Sequence, residues 1–177
     1  MDIFGAAEKR YSHKDLYLPN SVPLEHLEMI AKVGFAAPSG NNTQCVKFII
    51  LPDRASVQPL SELAPNCRPL QTAPAAIALL TTALGQKPRH NFEVEDYSAS
   101  ASVMLFAITA LGYVSVWLDS LYFDEDRQKA TLAILGAPES FNLRVVLPVG
   151  LPDGEGRRRE KLTFEERVFY RKFGLPK

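Results

Sequence analysis

The chain has 177 residues, 46% of them hydrophobic, with 20 basic and 20 acidic side chains and a formal net charge of zero. That length and apolar content suit one domain, residues 1–177, burying roughly two-thirds of the surface its unfolded chain exposes. The charge balance excludes a global field drawing the chain to nucleic acid or an anionic membrane, so any anion site is local.

Two cysteines, Cys45 and Cys67, cannot form the dense disulfide framework of a small secreted domain, which points to a reducing cytoplasm. No apolar run approaches the ~20 residues that span a bilayer, and residues 1–5 lack the basic-then-apolar order of a secretion signal.

Residues 2–8 are expected to form a short helix that ends on the polar cluster Lys9, Arg10, Tyr11, Ser12, His13 and Lys14. From Pro23, the apolar positions Leu24, Leu27, Ile30, Ala31 and Phe35 recur at helical spacing until Pro38 forbids continuation. Residues 38–44 read as a loop, and residues 46–51 as an apolar, partly β-branched strand closed by Pro52. A helix is expected over 55–63. Residues 75–82 are apolar almost throughout, as in a strand covered on both faces.

Residues 83–94 read as an exposed loop, and residues 95–111 as the longest helix, whose alanines suit close approach of another backbone and whose stop is Gly112. A strand over 114–118, a helix over 124–135 with an acidic first turn, and a strand over 143–149 follow. Residues 152–159 are turn-rich and basic, and 164–173 close the reading as a helix or an arm. This alternation predicts an α/β or α+β sandwich, a central sheet covered by helices.

Three segments can carry chemistry. Arg10, Ser12 and Lys14 offer charge and a hydroxyl to a phosphate, although the same pattern describes a solvated helix end. Arg157, Arg158, Arg159 and Lys161 form a second basic set, either an exposed turn or the other half of a dianion site. Ser39, Gly40, Asn41, Asn42, Thr43 and Gln44 donate and accept without charge, which fits an ordinary polar turn or the edge of a heteroaromatic ring.

His13, His26 and His90 lack metal-ligand spacing, and Gly154-Glu155-Gly156 lacks the third glycine of a dinucleotide fingerprint. No P-loop or nucleophile elbow occurs, and Cys45 at the edge of an apolar strand reads as a packed, unreactive thiol.

Taken in order, the segments Arg10-Tyr11-Ser12-His13-Lys14, Ala37 through Gln44, Ala73-Pro74-Ala75-Ala76-Ile77, Asp96 through Trp117 and Val149-Gly150-Leu151-Pro152 resemble the nitroreductase family of flavoproteins over nearly the whole chain. The resemblance implies an α+β fold with a mostly antiparallel sheet covered by helices. It also implies a homodimer with FMN at the subunit interface, and NADH or NADPH as electron donor.

By the same resemblance, Arg10, Ser12 and Lys14 grip the FMN phosphate with Tyr11 beside them, and Arg159 or Arg158 adds a late contact. Pro38, Ser39, Gly40, Asn42 and Gln44 border the flavin ring, usually from the partner subunit. The implied activity is hydride transfer from the nucleotide, then reduction of a nitroaromatic, quinone or related small-molecule acceptor, by a ping-pong scheme that needs no catalytic acid or base. The alternatives are a specialised member handling a flavin or haloaromatic, and a non-catalytic flavin-binding protein. The sequence departs from the family at Cys45-Val46, where Pro-Trp often follows the loop glutamine, and at His13, where many members carry arginine.

Overall fold

Asp2 starts the first helix by accepting a 2.8 Å hydrogen bond from the Gly5 N–H, so α1 runs Ile3–Lys9 and delivers Arg10 at its end. The computed structural model describes residues 1–82, 91–119 and 124–174. Within them, α2 (Leu24–Phe35) is followed by a 3-10 turn at Gly40–Asn42 and strand β1 (Val46–Leu51). Asp53 opens α3 (Arg54–Leu63) with a reciprocal capping box to Ser56. A short α4 (Arg68–Thr72), not expected from the sequence, precedes β2 (Ala75–Thr82).

Helix α5 (Glu93–Ala110) begins two residues before the expected start, within the segment read as a loop; residues 83–90 of that loop lie outside the described residues. Its acidic first turn, with Glu93, Glu95 and Asp96, suits the positive end of the helix dipole. Then come α6 (Glu125–Ile134), capped by Asp124, β3 (Phe141–Val149) and a single turn, α7 (Phe164–Arg167), where a helix or arm through 173 was expected.

The sheet has the order β1-β2-β3, and both pairings are antiparallel. This resolves the sandwich as α+β. Strand β2 is central, and successive side chains enter opposite layers: Ala76, Ala78 and Leu80 pack with Val57, Leu60, Leu70 and Leu132 of α3, α4 and α6. Ala75, Ile77 and Leu79 pack with Leu27, Ile30, Met104 and Ile108 of α2 and α5. That is why β2 is apolar at nearly every position. Burying each Leu or Ile contributes roughly 1.5–3 kcal/mol.

Helices α2 and α5 meet closely at Gly34 of α2, and Ala101 of α5 is buried in the same layer. A β-carbon at Gly34 would sit 2.4 Å from the Met104 sulfur. Among the described residues, no helix is long and apolar enough to cross a membrane.

Two irregularities prepare the site. The register of β2 with β3 shifts between Leu79 and Leu80, which pair with Val145 and Leu143, so Arg144 is the extra residue of a bulge. It turns toward α5, where its guanidinium meets the buried Glu93 carboxylate and stands 5.9 Å over the Tyr97 ring. The segment 114–118, expected as a strand, makes isolated bridges instead of a ladder: on the β3 side, Val114 pairs antiparallel with Gly150 and Leu118 with Val146. Ser12 then bridges Ser115 in parallel, and the His13 N–H donates to the Ser115 carbonyl at 2.9 Å. The stretch after α1 is thereby stitched to the sheet side of the molecule.

Candidate functional site

The polar stretch that leaves α1 is held rigidly. The His13 ring is buried, donates from Nε2 to the Leu16 carbonyl at 2.8 Å and packs edge-on against Tyr17 with 4.9 Å between centroids. Tyr17 is itself buried and its N–H donates to Thr72 Oγ1 at 2.7 Å. With His13 turned inward, its neighbours Ser12 and Lys14 face outward. The Leu18 N–H to the Leu151 carbonyl, and the Asp153 N–H to the Leu16 carbonyl, tie this stretch to the segment after β3.

Those ties bring the two basic sets together. A cleft of about 1050 Å³ is lined on one side by Arg10, Tyr11, Ser12 and Lys14, and on the other by Arg157, Arg158, Arg159 and Lys161. Gly156 rests on the Tyr11 ring, where a β-carbon would approach Cζ to 2.0 Å. Burial raises the Tyr11 hydroxyl above its ordinary pKa and the Arg158 charge partly offsets that, so the hydroxyl stays neutral. Asp15, also on the rim, is paired with Arg68 at 2.6 Å, which holds its carboxyl below its ordinary value.

The cations are not equivalent. Arg158 donates to the Glu8 carbonyl at 2.7 Å and to the Lys9 carbonyl at 2.5 Å, across the end of α1. It therefore satisfies carbonyls that a helix end leaves without partners, and it clasps the late segment to the early one. The side chains of Arg10, Lys14, Arg157, Arg159 and Lys161 line the same space without a hydrogen bond to another protein group among the described residues. This donor set suits a phosphate: guanidinium and ammonium charge, a hydroxyl, and a wall that keeps its shape.

The neutral loop lies elsewhere. None of Pro38, Ser39, Gly40, Asn42 and Gln44 lines the cationic cleft within one chain. Asn41, Asn42 and Gln44 take left-handed φ values of 52, 53 and 51°, a region disfavoured for side chains other than Gly and Asn. The Gln44 N–H donates to Ser39 Oγ at 3.3 Å, closing the turn. Gly40 lies against Phe92, whose ring atoms would be 2.2 Å from a β-carbon there.

Two further residues shape these walls without having stood out in the sequence. Asp96 of α5, almost wholly buried, accepts from the Gly40 N–H at 2.7 Å, from Thr43 Oγ1 at 3.0 Å and from Cys45 Sγ at 3.4 Å. Gly156 sits in a turn-rich tract whose contact with Tyr11 leaves no periodic signal. In the sequence Asp96 is one of three acids in the first turn of α5, beside Glu93 and Glu95, and nothing there singles it out. Cys45 is the packed thiol expected: burial, then the Asp96 hydrogen bond and charge, push its pKa up to about 11.

The comparisons with known proteins agree with this architecture. The model of the Nitroreductase family matches residues 7–72, which hold the first cationic wall and the neutral loop. A protein of Archaeoglobus fulgidus, named as a candidate NADH dehydrogenase/NAD(P)H nitroreductase, is 34% identical over 140 residues, covering 79% of this chain and 80% of its own. A structure from Bacteroides thetaiotaomicron bearing the same kind of name superposes with a TM-score of 0.81 at 25% identity, over 97% of this chain and 98% of that one. A nitroreductase with bound FMN from Bacteroides fragilis shares the fold with a TM-score of 0.77 at 20% identity, over 97% and 100% of the two chains. The sequence match along four-fifths of both chains, together with the shared fold, places this chain in the nitroreductase family.

Proposed function

We propose that the chain is an FMN-dependent oxidoreductase that takes hydride from NADH or NADPH and reduces nitroaromatic, quinone or related acceptors by a ping-pong scheme. The observation that carries this reading is the meeting of Arg10, Ser12 and Lys14 with Arg159 across one cleft, a donor set suited to a phosphate monoester. Arg158, clasped to α1, serves that site by fixing the late wall.

A bound FMN supplies the ring that exchanges hydride with the nucleotide and the acceptor. The protein's part is to hold the phosphate end with charge and to offer Pro38, Ser39, Gly40, Asn42 and Gln44 as neutral contacts for the ring. Because the neutral loop and the cationic cleft do not share a lining in one chain, a homodimer in which each copy lends its loop to the other's cofactor follows naturally. Phe4, Phe35 and Phe173 are 78%, 76% and 91% exposed, apolar surface that a second copy would cover. The free thiols of Cys45 and Cys67 support a reducing, cytoplasmic setting for a single-domain enzyme.

The test is direct. The purified protein should show flavin absorption bands, bleach on anaerobic addition of NADH or NADPH, recover colour with a quinone or nitroaromatic acceptor, and elute as a dimer. A colourless protein that takes up no added FMN overturns the reading.

A further inference from the structure

We infer that Asp96 is the positioning residue for the ring-bordering loop, acting through Gly40, Thr43 and Cys45; this rests on the flavin reading above. Asp96 is 3% exposed, and its two oxygens accept three hydrogen bonds, all from the stretch 40–45. Among the described residues no cation pairs with it. Asp96 stands in the first turn of α5.

The loop needs such an anchor. Asn41, Asn42 and Gln44 all stand at left-handed φ, and three such residues within four positions persist only where surroundings over-determine the backbone. Asp96 holds the loop at Gly40 before this run, at Thr43 within it and at Cys45 after it, while Phe92, one turn earlier, fills the space beside Gly40. A carboxylate suits this task because every partner is a donor. An asparagine of the same size keeps one accepting oxygen and turns a donating NH₂ toward Thr43 or Cys45.

The test compares Asp96→Asn with Arg10→Ala and wild type. Asp96→Asn should weaken FMN binding about tenfold and shift the visible bands and reduction potential of the bound flavin, because the ring's neighbours have moved. Arg10→Ala, at the phosphate end, should lose affinity with the bands unmoved. Hydrogen exchange at the Gly40 amide should accelerate in Asp96→Asn without flavin present.

A folded Asp96→Asn with wild-type affinity, bands and Gly40 exchange overturns the inference. If far-UV circular dichroism shows that this variant does not fold, Thr43→Val decides: a band shift supports the anchor and unmoved bands reject it. A wild type that takes up no FMN overturns the flavin reading and with it any role at a ring, whereas accelerated Gly40 exchange still identifies Asp96 as the anchor of the loop.

Discussion

The backbone of Gly156 lies against the ring of Tyr11 so closely that a β-carbon there would stand 2.0 Å from Cζ, 2.1 Å from Cε2 and 2.2 Å from the hydroxyl oxygen. The late wall of the cationic cleft is thus set by a contact only glycine permits. Gly156→Ala must part the exposed late segment and the ring, by a shift of either. The expected outcome is FMN binding weakened several-fold with the thermal midpoint nearly unchanged, read by fluorescence titration and calorimetry. Wild-type affinity would remove this contact from the site.

Arg10→Ala removes a charge from the early wall. A charge-assisted hydrogen bond is worth about 1.5–3 kcal/mol, so FMN affinity should fall about tenfold to a hundredfold. Arg159→Ala should act in the same way from the opposite wall. Arg158→Ala should instead mimic Gly156→Ala, because its guanidinium is engaged with the Glu8 and Lys9 carbonyls. Isothermal titration of the three variants separates direct contacts from the clasp.

The Glu93–Arg144 pair predicts a pH dependence of stability. Burial raises the Glu93 pKa, but hydrogen bonds from Thr81, Arg144 and Asn142 outweigh it, and the net value lies below the ordinary 4.5. A depressed carboxylate contributes stability that is fully present above about 4.5 and is lost as pH falls through the lower folded value. Breaking a buried pair costs about 3–5 kcal/mol, and because Arg144 keeps 30% of its side chain exposed the lower part of that range is expected for Glu93→Gln at neutral pH. Urea denaturation should show that deficit, and a flatter stability curve than wild type below pH 4.5.

Cys45 should be chemically silent. With its pKa pushed up to about 11, on the order of a thousandth of the thiol is ionised at pH 8, and the side chain is 2% exposed. Iodoacetamide at pH 8 should therefore leave Cys45 unmodified in the folded protein and modify both cysteines after denaturation. Rapid labelling of native Cys45 would contradict the described packing.

Where a residue's environment repeats along the chain, its role was readable in advance. The uninterrupted apolar run of β2 announces burial on both faces, and Pro38 announces the end of α2 within three residues. Arg144 is opaque for the opposite reason, since it faces α5 only because a bulge shifts the register beside it, and no local pattern in Leu143-Arg144-Val145 marks that. The 114–118 segment has the right composition for a strand, but it meets its neighbours only through isolated bridges, Leu118 to Val146 of β3 and Val114 to Gly150 just past it. In the site, Arg10, Ser12 and Lys14 stand out by chemistry, whereas Arg158 looks identical to its neighbours until its carbonyl partners are seen. Asp96 escapes because its importance comes from donors some fifty positions away.

The clasp from Arg158 to Glu8 joins groups 150 positions apart. An anion seated in the cleft between the early and late segments acts as a thermodynamic rivet: by mass action, whatever binds only the closed arrangement draws both segments into the folded population. Limited proteolysis around residues 157–161 should consequently slow as ligand concentration rises, making protease resistance of that basic tract a gauge of occupancy independent of colour or turnover.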